Sequence, residues 1–422
     1  MDDEDFSAAV YSKADLVFNG SGTLNVNAGY RNGIKSTDDL KVVSGTFNIT
    51  SNEDGIIGKD FLGIKDGKFT IKSGSDGMKS TYDTDTSKGN IVITGGEFDI
   101  TASNDGIHCN EDILISGGNL TISSGDDGVH ADDNLQVDGG TIDIKKCCEG
   151  LEGVQITLND GDISIVASDD GINAADGSSS SGMGMGGFGG GQNGGFGGGQ
   201  ASSSDSSVLL TINGGNIFVN AGGDGLDSNG NIVMNGGNVT VLGPTSDGDT
   251  ALDFDGAFTI NGGVLMAFGS SGMLETPTSA QNGCCIVTTL GTVSANSAFS
   301  LMDSSGNVIM SYTPTKNYAS AIVYSSDIKN GSTYTVTAGS TTQSITVNSN
   351  VTTNGVSGGF GGGQNGGFGG GQRGGQPGGS APDGNGSFGG DQQGGNQQGG
   401  MPGRNSGNVR SNSASSSTVN QV

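Results

Sequence analysis

The sequence predicts an all-β chain: a parallel β-helix of about ten coils with a period of about 22 residues, then a small antiparallel β module and a disordered tail. A short phrase recurs as SNDGIHCN, GDDGVHAD, CCEGLEGV and SDDGINAA, with Gly106, Gly128, Gly150 and Gly171 spaced 22, 22 and 21 residues apart. A second phrase keeps the same interval, a glycine turn followed by an alternating apolar segment: GGEFDI at Gly96, GGNLTI at Gly118, GGTIDI at Gly140 and DGDISI at Gly161. Composition agrees with both. With 83 glycines, no tryptophan and 32% hydrophobic residues among 422, the chain is too lean for one globular core, whereas a solenoid fills a thin core coil by coil.

In chain order, the glycine turn first appears at Gly22 and recurs at Gly45, Gly67, Gly96, Gly118, Gly140, Gly161, Gly215, Gly237 and Gly263. The helix is assigned to residues 1–282. Ile91, Val92, Ile93, Phe98 and Ile100 are expected to point inward and stack on Ile113, Ile115, Leu120 and Ile122. At about 4.8 Å per coil, ten coils make a rod roughly 45 to 50 Å long. Two departures from the interval are loops. The step of 29 from Gly77 to Gly106 holds the polar TYDTDTSKG, and the step of 54 from Gly171 to Gly225 holds a Gly/Ser-rich insertion, 177–207, whose composition predicts disorder.

From 283 to 352 the interval is lost. AFSLMD, GNVIMSY, SAIVYSS and STYTVTAG are expected strands separated by SSGN and KNGS turns, forming a small β-sandwich-like domain or a cap on the open end of the helix. Residues 353–422 are Gly/Gln/Ser-rich and expected to be disordered; 358–372 repeats 186–200 letter for letter, a spacer or a weak self-association element.

The formal charge is −27, from 44 acidic and 17 basic residues. Such a surface excludes nucleic acid and anionic membranes as partners and favours cations. No apolar run is long enough to span a bilayer. No signal peptide precedes the first coil, and Met1 followed at once by DDEDF suggests that an export signal has been lost from this version. The five cysteines, Cys109, Cys147, Cys148, Cys284 and Cys285, have no metal-finger spacing and are expected to serve as small buried apolar residues.

In a solenoid, a side chain at a fixed place in the repeat sits over its counterpart in the next coil. Asp54, Asp76, Asp105, Asp127, Glu149, Asp170 and Asp224 then share one column, Asp126 and Asp169 a second, and His108, His130, Glu152, Asn173, Asp227 and Asp253 a third. Two like charges about 4.8 Å apart repel by roughly 3.5 kcal/mol at an effective dielectric of 20 and by near 1 kcal/mol in water. Basic counter-ions are missing: 39 of the 44 acids precede residue 256, since only Glu275, Asp303, Asp327, Asp383 and Asp391 follow, and no Lys or Arg lies between Lys146 and Lys316.

Oxygen-rich columns without organic cations suit Ca²⁺ better than Mg²⁺, because calcium tolerates irregular, carboxylate-rich shells. The expected ligands are Glu149, Glu152, Asp169, Asp170, Asn173, Asp224, Asp227, Asp253 and Asp255, with Asp127 and Asp105 one and two coils earlier. Each Asp taken singly is equally consistent with turn chemistry. His108 and His130, with Asp132, are a weaker candidate for Zn²⁺. The chain shows no nucleophile-His-Asp arrangement, and its Gly-rich runs open no helix, so no catalytic residue is assigned.

The segments SDDGINAADG, GGDGLDSNGNIVMNGGNVTVLGPT from Gly222 and ALDFDGAFTINGGVLMAFGSSGM from Ala251, together with EGLEG from Glu149, resemble a bacterial carbohydrate-binding parallel β-helix family whose studied members bind cellulose and polygalacturonate. The resemblance covers Asp15 to Gln281. It implies a right-handed helix of pectate-lyase-like architecture, bound calcium, an extracellular or cell-surface location, and polysaccharide binding without established catalysis. Cys147 and Cys148 stand where Ser/Tyr-type residues are more usual before EGLEG.

The expected function is a non-catalytic, calcium-stabilised, monomeric binder of plant-type polysaccharide such as cellulose or polygalacturonate. The alternatives are a calcium-dependent lyase, for which Lys79, Lys145 and Lys146 are the nearest bases, and a structural or adhesive rod. Polar ladders such as Asn48, Thr70, Thr121 and Thr240 would suit a neutral glucan, but no glycan-contact residue is assigned.

Overall fold

A computed structural model describes residues 7–82, 84–176 and 207–356. The insertion at 177–206 and the tail from 357 onward, with the repeated segment they share, lie outside the described residues.

The repeat folds as a parallel β-solenoid of about eleven turns, with three strands per coil. Equivalent strands stack into three sheets, called here sheets A, B and C. Sheet A holds ten strands, from Ala8–Ser12 to Leu252–Phe254; sheet B holds eleven, from Leu16–Phe18 to Ser279–Ala280. The D/N-G phrase turns the chain from sheet C into sheet A, and the glycine-turn phrase turns it from B into C.

Period-two alternation sends one set of side chains into the lumen. On sheet C, Phe47, Phe69, Phe98, Leu120, Ile142, Ile163, Ile217, Val239 and Leu265 stand in register and are buried. The Phe47–Phe69 and Phe69–Phe98 rings stack at 5.0 and 4.8 Å, almost parallel, because successive coils repeat the same rotamer one strand spacing apart. Ile91 and Ile93 stack on Ile113 and Ile115 as expected. Val92 corrects the sequence grouping: it alternates to the other face and pairs with Leu114.

Two glycine positions are demanded by geometry. Gly96, at the B-to-C turn, holds φ at +111°, a conformation that side chains resist. At the C-to-A turn, a Cβ on Gly106 would lie 2.4 Å from Ile122 and 2.5 Å from the Gly128 carbonyl, so coils can approach only where the residue has no side chain.

The C-terminal strands continue the stack. Tyr318–Ser325 pairs antiparallel with the last sheet C coil, Val264–Gly269, and Cys284–Val293 pairs with Tyr318–Ser325 on its other side. One face of this pair, with Cys285, Val287, Ile322 and Tyr324, closes the solenoid core. The other, with Cys284, Ile286, Ala321 and Val323, packs under a four-stranded antiparallel sheet carrying Phe299, Leu301, Tyr334 and Val336. The last described strand, Val351–Asn354, adds to Cys284–Val293 and so takes in Thr353 and Asn354, assigned to the tail by composition. All five cysteines are free thiols; only Cys148 is more than marginally accessible.

Candidate functional site

Two surfaces carry polar chemistry. The first is the C-to-A corner and the outer face of sheet A. Register places Lys79, His108, His130, Glu152, Asn173, Asp227 and Asp253 in one column. From Lys79 onward the column thus passes from basic through imidazole to acidic, and sequence reasoning did not place Lys79 in it; the same register continues back through Ile57, Lys35 and Tyr11.

At the corner, five of the column's carboxylates brace the next coil. Asp54 accepts the Asp76 backbone N–H at 3.1 Å, Asp76 that of Asp105 at 3.1 Å, Asp105 that of Asp127 at 3.0 Å, and Asp170 that of Asp224 at 2.6 Å. The Thr250 N–H does the same for Asp224. These acids therefore have a structural task at one oxygen whatever the other oxygen meets. Of the second column, Asp126 and Asp169 are separated by Cys148, whose backbone bridges them, and so are not adjacent.

The electrostatics divide along the column. Burial opposes ionisation of Asp76, but the nearby His108 imidazole and hydrogen bonds from Lys79 and Asn104 outweigh it and hold the carboxyl well below its usual range. Lys79 is in turn held charged: burial works against its ammonium, and the Asp76 carboxylate overcomes it. A lyase base would need the opposite shift. Lys145 pairs with the Asp143 carboxylate.

Toward the C-terminal coils, beyond the His130 imidazole next to Glu152, no Lys or Arg among the described residues pairs with the corner acids. Burial, with neighbouring carboxylates, pushes Asp170 and Asp224 up to about 7, Glu152 to about 8 and Asp227 to about 9. Glu149 and Asp253 are raised for the same reason. Glu275 joins this set at about 8, with its carboxylate accepting the Phe254 N–H at 3.2 Å. Counting could not place it, because the coil that carries it lacks the D/N-G phrase.

The structure brings Glu149, Glu152, Asp170, Asn173, Asp224, Asp227 and Asp253 onto one face, while Asp169 and Asp255 are exposed at its margin and Asp105 and Asp127 lie with the histidines. Asn173 is the informative residue. Its amide donates to Glu149 Oε2 at 2.7 Å, which fixes the other atom as oxygen, and that Oδ1 is buried without a hydrogen-bond partner. Its register neighbours, Glu152 and Asp227, are acids that the same burial crowds toward protonation. A hard cation is one partner that would satisfy this oxygen and the acids together, so the donor set fits Ca²⁺. The tightest ligand groups among the described residues lie elsewhere, chiefly around the two histidines; none includes Glu149, Asp169, Asp170, Asp224, Asp227, Asp253 or Asp255.

The second surface is the outer face of sheet C. Asn25, Asn48, Thr70, Asp99, Thr121, Asp143, Ser164, Phe218, Thr240 and Met266 form one register column. Beside it, Asn238 donates to Asn216 at 3.0 Å and Asn216 to Asp162 at 2.8 Å. Asp143, Asp162, Ser164, Asn216, Asn238 and Thr240 line a groove of about 430 Å³ together with Phe218, which is half-buried against the second core cluster; a second groove of about 440 Å³ is lined by Asn25, Asn48, Thr70 and Lys72. Asn48, Thr70 and Thr240 were legible as polar ladders. Phe218 was missed, since one aromatic residue in an alternating strand has the same pattern whether it faces in or out. No helix among the described residues is long and apolar enough to cross a membrane.

No curated protein and no solved structure shows a significant match to the chain. Residues 1–194 match the model of a family described as Carbohydrate-binding domain-containing protein, and that match and the stacked coils together fit a carbohydrate-binding parallel β-helix.

Proposed function

We propose that the protein binds polysaccharide without cleaving it, as a monomer at the cell surface or outside the cell, along the outer face of sheet C. The observation that carries this reading is the unbroken polar column from Asn25 to Ser164, which leads into the groove over Phe218. A long, open ladder of hydrogen-bonding groups at one strand spacing suits an extended chain of repeating hydroxyls, and an aromatic face suits the apolar side of a sugar ring. The family match supports the same ligand class.

Calcium completes the reading. Ca²⁺ held by Glu149, Asn173, Asp227 and Asp253 would supply charge neutralisation to the acidic coils, and a part-filled shell would let a polyuronate carboxylate approach a protein of the same sign. Neutral cellulose would need only the sheet C face.

Retention on insoluble cellulose and on immobilised polygalacturonate, with and without chelator, tests both parts. Wild-type protein should be held on at least one of them, and Phe218→Ala should weaken retention about tenfold, the effect of roughly 1.4 kcal/mol. Failure to bind either glycan, or equal binding by Phe218→Ala, would overturn the sheet C assignment. Growth of unsaturated uronate absorbance during incubation would overturn the absence of cleavage.

A further inference from the structure

His108 and His130 occupy paired positions on adjacent coils and stack ring on ring, with centroids 4.8 Å apart and planes 12° from parallel. Both Nε2 atoms approach one oxygen: Asp132 Oδ1 lies 3.3 Å from His108 and 3.5 Å from His130. Asp132 itself is steadied by the Asn110 amide at 2.9 Å. An imidazole that donates its Nε2 proton to a carboxylate presents a lone pair at Nδ1, the arrangement usual for a histidine that ligates a metal.

Both Nδ1 atoms face the corner acids. His108 Nδ1 is 3.4 Å from Asp105 Oδ2 and 3.8 Å from Asp76 Oδ2, yet it is buried and makes no hydrogen bond. His130 Nδ1 is 3.4 Å from Asp127 Oδ2 and 3.5 Å from Glu152 Oε2. Asp127, His130 and Glu152 each offer a ligand atom within 4.8 Å of the others, as do Asp105, His108 and His130. A tetrahedral shell with ligands at about 2.0 to 2.1 Å sets its ligand atoms about 3.3 to 3.4 Å apart. The two edges at His130 match that spacing almost without movement. The Asp105 group lies closer to Lys79, whose ammonium pairs with Asp76 and would repel an ion.

We propose that Asp127, His130 and Glu152 form a binding site for a zinc-class divalent transition ion, with Asp132 orienting the imidazole and the fourth position open to water. The ligand types separate this site from the calcium face: calcium takes oxygen ligands, whereas imidazole nitrogen favours Zn²⁺, Co²⁺ or Ni²⁺. Asp127 and Glu152, expected from sequence to hold calcium, are assigned here to the imidazole site. Asp132, expected to be a ligand, acts through the rings instead. Neither step depends on glycan binding or on calcium.

Full-length protein stripped with chelator and titrated with Co²⁺ alone tests the site, because four-coordinate Co²⁺ gives an intense visible ligand-field band. The expected result is a saturable band that Zn²⁺ abolishes and a tenfold excess of Ca²⁺ does not. It should be absent in His130→Ala and in Glu152→Gln, retained in Glu97→Gln, and formed with about 10- to 100-fold weaker affinity in Asp132→Asn. The two ligand variants guard against one failing to fold, which circular dichroism reports. Absence of the band in wild-type protein, or its persistence in either folded ligand variant, would overturn the proposal and leave the histidines as paired imidazolium ions.

Discussion

Replacing Asp227 by Asn probes the acidic face most directly. The side chain lies between Asn173 and Asp253 in the sheet A column, and burial with the charges of Asp170, Asp253, Asp224 and Glu149 lifts its carboxyl from 3.8 to about 9. Because the folded value is above the unfolded one, the proton is bound more tightly in the fold. Stability is therefore lost progressively as pH rises from about 4 towards 9. In metal-free protein the folded state takes up a proton here that the unfolded chain releases, which costs roughly 1.5 kcal/mol at pH 5 and about 4 kcal/mol at pH 7. Asp227→Asn removes that burden, so in chelator its stabilising effect should grow from pH 5 to pH 7. In saturating Ca²⁺ the sign should reverse, since the substitution removes a ligand charge. Denaturant titration at both pH values, with chelator and with Ca²⁺, reads all four conditions. An effect independent of pH in chelator, or a variant still more stable than wild type in Ca²⁺, would refute the argument.

Three further outcomes follow from the packing. Phe98→Ala leaves a gap at the end of the Phe47–Phe69–Phe98 stack and should destabilise by about 3 to 5 kcal/mol in denaturant unfolding; a loss under about 1 kcal/mol would mean that the coils collapse around the gap. Gly106→Ala forces a methyl group against the Gly128 carbonyl and Ile122, and should destabilise by on the order of 1 to 3 kcal/mol, whereas Gly22→Ala, with nothing within 4 Å, should be close to neutral. Burial raises the Cys148 thiol to about 11 and the Cys147 thiol to about 12. Thiol labelling of native protein should therefore be slow, begin at half-buried Cys148, and reach Cys109 and Cys285 only after unfolding; rapid labelling of either buried thiol would contradict the core packing.

The sheet A column shows how far a sequence can be read in a solenoid. His108, His130, Glu152, Asn173, Asp227 and Asp253 were placed together by counting, and the register pairs them in that order. Counting failed where the repeat degenerates or changes residue type. Glu275 lacks the phrase that would align it. Lys79 belongs to the same column but was weighed only as a base, although its pairing with Asp76 divides the charged surface into a neutralised half and an acidic half.

The period and alternation alone determined the coils, most of the inward residues and the order of the sheet A column, because stacking is a one-dimensional rule that copies sequence spacing into space. Only the tertiary structure decided what each side chain does at its place. Corner aspartates spend one oxygen on the next coil's amide, Asp132 bridges two rings, Asn173 keeps a buried oxygen unpartnered, and Phe218 faces the groove. Rotamer, burial and hydrogen-bond partner depend on neighbours in three directions, and a repeat interval specifies only one.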